Sequence, residues 1–215
     1  MFVADTINFR EIVMKEALPL ATIQNSVIDF LRGRDDVVLF GAQAVNVYVN
    51  EPRATQDVDL MSTRTAELTE DLANHLSKRF HVYFAWKKSK VGDDYKLFQL
   101  RENETRHLVD VRSAVELPPA QRIEGVLVAL PVALIAGKVI SQHRRHGKPK
   151  AWTDRRDLAL LLLTFPELKC DPGAVTDCLN TTQPDQQALS VWRELVRQTS
   201  SRKLRTTNSN HPQPR

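Results

Sequence analysis

Only two cysteines occur in the 215 residues, Cys170 and Cys178, and neither stands at a metal-ligand spacing. No disulfide framework or thiolate zinc site therefore organises the chain, and reduced, idle thiols are the expectation. Long hydrophobic runs are missing too. The longest mostly apolar stretch, Val126 to Ile140, is broken by Pro131 and carries Lys138, too short to span a bilayer. The first residues lack a basic start leading into an apolar stretch, which argues against a secretory leader and predicts a cytoplasmic protein with no membrane partner. Internal repeats are absent. Charge of one sign is scarce in the body of the chain. Four of the 30 basic residues lie beyond residue 198 with no acid beside them, leaving 26 basic against 26 acidic residues before that point. The net charge of +4 thus reflects the tail and gives little reason to assign nucleic-acid binding to the folded part.

What is present suits a soluble α+β protein. A hydrophobic content of 42% over this length supports one core, or one core with a small satellite domain. From about Phe9 to Leu31 the apolar residues Ile12, Ala17, Leu20, Ile23, Val27, Ile28 and Leu31 recur at helical spacing, with Pro19 kinking or dividing the stretch. Val37 to Phe40 reads as a buried strand reaching a turn at Gly41, followed by a helix over Ala42–Asn50. Asp57–Met61 is expected as a strand, Thr65–Lys78 as a helix, and Phe80–Trp86, Lys96–Arg101 and Arg106–Arg112 as three more strands, with Gly92-Asp93-Asp94 turning between the first two. After Pro118-Pro119 the pattern becomes helical, at about Pro131–His146, Asp154–Leu163 and Gln186–Gln198. The expected organisation is a catalytic domain over 1–125 that includes the N-terminal helix, a helical subdomain over 126–198, and a disordered basic tail over 199–215.

Asp57-Val58-Asp59 is the feature that points to chemistry. Two carboxylates two apart on a strand share a face, and without a cation they repel. One Mg²⁺, or Mn²⁺ in its place, relieves that repulsion and can bridge nucleotide phosphates during phosphoryl transfer. Asp110, an acid inside the apolar pattern His107-Leu108-Val109-Asp110-Val111, is a third candidate ligand if its strand lies beside the first. The plain structural alternatives are a surface turn for the pair and a salt-bridged strand acid for Asp110. Upstream, a glycine turn with a helix start behind it lets backbone N–H groups approach a triphosphate, making Gly41, Ala42 and Gln43 candidate nucleotide contacts. Arg53 and Thr55, just before the acids, are candidate donors to a phosphate or base.

These residues resemble the minimal nucleotidyltransferase pattern of the polymerase-β superfamily: Gly followed by Gly or Ser, about a dozen residues, Asp-x-Asp, then a later strand Asp. The closer likeness is to the AbiEii-type nucleotidyltransferases, toxin components of toxin–antitoxin and abortive-infection systems. Arg53, Thr55, Asp57 and Asp59 match that family's Arg-x-Thr-x-Asp-x-Asp segment, and Lys138, Arg144, Asp154, Asp157 and Leu158 match its downstream helix pair. The likeness covers about residues 35 to 165. It implies a polymerase-β-like mixed sheet flanked by helices with a C-terminal helical subdomain. It further implies that Asp57, Asp59 and Asp110 hold the metal, that Lys138 neutralises the triphosphate, and that Asp157 or Asp154 supports catalysis. Ala42 departs from the pattern: the hydroxyl contact is gone and a backbone N–H remains.

Taken from physical chemistry alone, Lys138 on an apolar helix is a snorkelling surface lysine, Asp154 a helix N-cap and Asp157 a first-turn acid. The basic run from His143 to Lys150 suits a helix C-terminus, and could equally meet RNA. The activity implied is transfer of an NMP from an NTP to an acceptor hydroxyl, with RNA, and tRNA in particular, as acceptor and a cognate antitoxin as partner. The alternatives are a small-molecule (antibiotic) acceptor, or a degenerate nucleotide-binding module for which Ala42 is the main support. An Asp-x-Asp glycosyltransferase would need a larger nucleotide-sugar domain and no Asp110.

Overall fold

The structure, a computed structural model, describes residues 19–90, 92–100, 105–182 and 186–203. The part of the N-terminal helical stretch before Pro19, and the tail beyond Lys203, lie outside the described residues. The described residues form two compact units, one from those up to Phe40 together with those of Ala54–Val128, the other from Gly41–Arg53 together with those from Ala129 to Lys203.

The first unit is built on a seven-stranded mixed sheet. Helix α1 (Leu20–Leu31) precedes β1 (Val37–Phe40), and β2 (Val58–Ser62) leads into helix α3 (Thr65–Phe80). There follow β3 (Phe84–Lys88), β4 (Tyr95–Leu100), β5 (Thr105–Ser113), β6 (Ala120–Ile123) and β7 (Val126–Ala129). Helix α2 (Gly41–Tyr48) falls between β1 and β2 in the chain but belongs to the second unit. The strand order is β3-β4-β5-β2-β1-β7-β6. β1 runs antiparallel to β2 and parallel to β7, while β2 runs parallel to β5.

The helices cover one face because of where the sequence puts its leucines. Leu68, Leu72 and Leu76 recur at helical spacing on α3 and are fully buried, as are Val58, Leu60, Val109 and Val111 of β2 and β5. On β2 the alternation is strict: Val58, Leu60 and Ser62 are buried, Asp59 and Met61 only partly. Buried Ser62 is satisfied by donating to Asp36 O at 2.7 Å and accepting from Arg64 N at 3.0 Å.

Three sequence expectations shift. Helix α3 runs two residues past Lys78 and closes on His81 in the left-handed region, so β3 starts at Phe84 rather than Phe80. Asp57 stands just before β2 instead of within it. The chain after Pro118-Pro119 is not yet helical, because Ala120–Ala129 adds two strands first. Glu124 and Gly125 both take positive φ, 48° and 86°, as a tight two-residue turn between strands requires. The Val-rich run behind them thus becomes β7 and not the start of a helix.

The second unit contains α2 and helices α4 (Pro131–Arg144), α5 (Lys150–Thr164), α6 (Ala174–Thr182) and α7 (Gln186–Lys203). Pro131 opens α4 at a first-turn position where its missing N–H costs nothing. Fully buried Trp192 of α7 anchors this unit, its indole N–H donating to Thr176 Oγ1 at 3.1 Å. Tyr48 at the end of α2 donates to Ala129 O at 3.0 Å and meets Phe165 edge-on. Helix α6 was not expected from the sequence, and α7 continues five residues past Gln198. No helix among the described residues is long and apolar enough to cross a membrane.

Candidate metal centre

Parallel pairing of β2 with β5 sets Asp59 directly beside Asp110. Their neighbours Val58, Leu60, Val109 and Val111 are buried, so both carboxylates project from the other side of the sheet. The register therefore puts Asp59 and Asp110 side by side on one sheet face, as the sequence pattern suggested for those two acids. Asp57 precedes β2, and its carboxylate lies 3.9 Å from Nδ1 of His107.

Each acid also has basic company that the sequence reading did not name. Lys96, the partner of Asp110 on β4, donates to Asp110 Oδ1 at 2.7 Å. Arg112 donates to Asp59 Oδ1 at 3.1 Å. His107 brings Nδ1 to 3.9 Å from Asp57 Oδ2 and Nε2 to 3.2 Å from Asp110 Oδ1. Burial opposes ionisation of Asp110, yet the imidazole of His107 and the ammonium of Lys96 outweigh it and hold its carboxyl well below the usual range. One ligand atom from each of Asp57, His107 and Asp110 can be chosen so that all lie within 4.8 Å of one another. Two carboxylates and an imidazole gathered this closely fit a divalent cation.

His107 reaches this face through an irregularity. Leu97 of β4 pairs with Val109, but the next residue, Phe98, pairs with His107, leaving Leu108 as an extra residue on β5. Leu108 and Val109 consequently both turn into the core, at 1% and 0% exposure. Strict alternation would put His107 with Val109 on the buried side; the bulge returns it to the side of Asp110. The clue in the sequence was the doubled apolar pair Leu108-Val109.

Gly41 opens α2 with φ 67°, and Gly41 and Ala42 are buried while Gln43 is half-buried. Thr55 is buried and receives the Gln24 side-chain amide at its carbonyl, 3.0 Å, and at Oγ1, 3.4 Å. Arg53 makes a bidentate pair with Asp157, Nε to Oδ1 and Nη2 to Oδ2 both at 2.9 Å. Its backbone is clamped by Asn46, which accepts from Arg53 N at 3.1 Å and donates to Arg53 O at 2.8 Å.

Lys138 is no snorkelling lysine. It is 8% exposed, with Nζ 2.7 Å from Asp157 Oδ2 and 3.1 Å from Asp154 Oδ1. Asp154, at 2% exposure, also accepts from Arg145 at 2.7 Å. Helix α5 starts at Lys150, so Asp154 is not its N-cap and Asp157 lies beyond its first turn. Burial alone would raise the pKa of Asp157, but Arg53 and Lys138 more than reverse that and keep it ionised. These residues form a buried charge cluster joining α4, α5 and the segment after α2.

No protein-family model matches the sequence, and no curated protein matches it. Solved structures do. The Megavirus polyadenylate synthase superposes with a TM-score of 0.57 at 13% identity, over 71% of this chain and 32% of that one. JHP933 from Helicobacter pylori superposes at 0.52 and 16% identity, over 91% and 97% of the two chains. The fold is that of the polymerase-β-like nucleotidyltransferases. The chain spans about a third of the viral synthase, 32% of its length. The antibiotic-resistance factor ANT(2'')-Ia, at a TM-score of 0.42 and 13% identity over 89% and 96% of the chains, is too loosely superposed to inform the acceptor. On this fold, β2 and β5 carry Asp59 and Asp110 side by side.

Proposed function

We propose that the chain is a metal-dependent nucleotidyltransferase that moves an NMP from an NTP to an acceptor hydroxyl. The observation that carries this reading is the register of Asp59 against Asp110, with the carboxylate of Asp57 gathered near that of Asp110. Asp57, Asp59 and Asp110 would hold Mg²⁺, or Mn²⁺ in its place. The cation would supply charge neutralisation at the phosphates. The acceptor oxygen forms a bond to the α-phosphorus, the bond from that phosphorus to the bridging oxygen breaks, and pyrophosphate leaves. Asp110 would orient the acceptor hydroxyl and help to deprotonate it, passing the proton on to solvent as the new bond to phosphorus forms. Lys96 and Arg112 are exposed enough to turn toward phosphate oxygens once the acids have another cation.

Backbone N–H groups of Gly41, Ala42 and Gln43 are our candidates for contacts to the triphosphate, and Thr55 for a further donor. We assign Lys138, Asp157 and Arg53 to positioning, since each is committed to the buried charge cluster. For the acceptor we favour RNA, tRNA in particular, with growth arrest as the outcome and a cognate antitoxin as partner in the cytoplasm. The support is the Arg53-x-Thr55-x-Asp57-x-Asp59 segment.

Incubation with each α-labelled NTP and total tRNA, with Mg²⁺ or Mn²⁺, tests both levels. Label in RNA that vanishes in the Asp57→Ala/Asp59→Ala double variant, with the fold intact by circular dichroism, is the expected result. Transfer unchanged in that variant refutes the site. A second reading, a module that binds nucleotide without turnover, draws on Ala42 and on the pairing of Asp59 and Asp110 with Arg112 and Lys96. NTP binding with no labelled product on RNA or on small-molecule acceptors would favour it.

A further inference from the structure

Nothing in the pairing of β4 with β5 needs an imidazole at position 107, yet the bulge at Leu108 delivers one to the acid face. Its Nε2 is closed off from solvent and makes no well-aligned hydrogen bond, with Asp110 Oδ1 the near neighbour at 3.2 Å. A buried ring nitrogen without a bond is costly, and a cation is one of the few groups that would satisfy it. The spacing is suitable. Around an octahedral cation with bonds of about 2.1 Å, adjacent ligand atoms lie roughly 3 Å apart. The Nε2 to Oδ1 separation of 3.2 Å meets that condition, and Asp57 completes a group within 4.8 Å. The Phe98 ring, centred 5.3 Å from that of His107, backs the imidazole and fixes its plane.

We propose that His107 is a nitrogen ligand of the divalent cation, and that the centre selects a first-row transition cation over Mg²⁺. The second clause follows from the first: Mg²⁺ favours an all-oxygen shell, whereas imidazole is a good donor to transition cations. Both rest on the metal-dependent reading above.

Pulsed electron paramagnetic resonance of the full chain with Mn²⁺ alone tests the ligand directly. The expected result is nitrogen modulation of the Mn²⁺ echo that disappears in His107→Ala, with Mn²⁺ affinity reduced roughly tenfold or more. His107→Gln, which offers an oxygen in place of the nitrogen, should bind Mn²⁺ without modulation and lose preference for it over Mg²⁺ in competition. Mn²⁺ that binds the wild-type chain without nitrogen modulation, or modulation that survives His107→Ala, overturns the role of His107 and leaves the metal site standing. Failure of the wild-type chain to bind Mn²⁺ at all overturns the metal reading as well.

Discussion

Replacing Lys138 with Met removes the centre of the buried cluster while keeping much of its packing. The ammonium makes two charge-assisted hydrogen bonds, to Asp157 at 2.7 Å and Asp154 at 3.1 Å. Each carboxylate keeps an arginine afterwards, Arg53 on Asp157 and Arg145 on Asp154, so the remaining charges still balance. The loss is therefore two bonds of about 1.5–3 kcal/mol each, set against relief from holding an ammonium out of water. A net destabilisation of about 3 kcal/mol is expected. At roughly 2–4 °C per kcal/mol for a chain of this size, the melting temperature should fall by about 6–12 °C. Calorimetry or thermal circular dichroism reads this directly. A melting temperature within about 2 °C of wild type would refute the reasoning. If NTP affinity fell at the same time, Lys138 would return to the nucleotide-neutralising role that the family likeness implies.

Acid should weaken the fold in a definite direction. Asp36, Asp110 and Asp157 all have folded pKa values below their ordinary ones, so the unfolded chain takes up protons first. Their stabilisation is present in full above a pH of about 4 and is lost as the pH falls through the folded values, which denaturant midpoints between neutral and acid pH will show. A midpoint that rises toward acid would contradict it. Lys96→Met should strengthen Mn²⁺ binding several-fold, since the Lys96 ammonium competes for Asp110 Oδ1 from a side chain that is 45% exposed. Isothermal titration with Mn²⁺ checks this, and weaker binding in the variant would count against the assignment of Asp110 as a ligand.

The shared face of Asp59 and Asp110 was legible because alternation on a strand is a local property. Asp59 and Asp110 each sit between apolar residues that announce a strand and a face. The buried helix faces of α3 and α4 were legible for the same reason, through leucines and other apolar residues at helical spacing. What misled the reading was also local. Glu124-Gly125 lacks the Asn or Asp that marks most two-residue turns, so no strand was expected on either side of it and the helical subdomain was expected to start at 126. The bulge at Leu108 hid His107, since a single added residue reverses every parity argument before it.

The sequence by itself determined that β2 and β5 would each carry acid on one side and hydrocarbon on the other, because burial of the hydrocarbon allows no other parity. Only the tertiary structure decided which strand lies beside which, and hence that Asp110 meets Asp59 while Lys96, Arg112 and His107 supply the charges and donors around them. It also decided that Lys138, Asp154 and Asp157, which look like surface and cap residues one at a time, go inside together. A buried charge is tolerable only where its counter-charge arrives from another part of the chain, and that meeting is set by packing across long sequence separations.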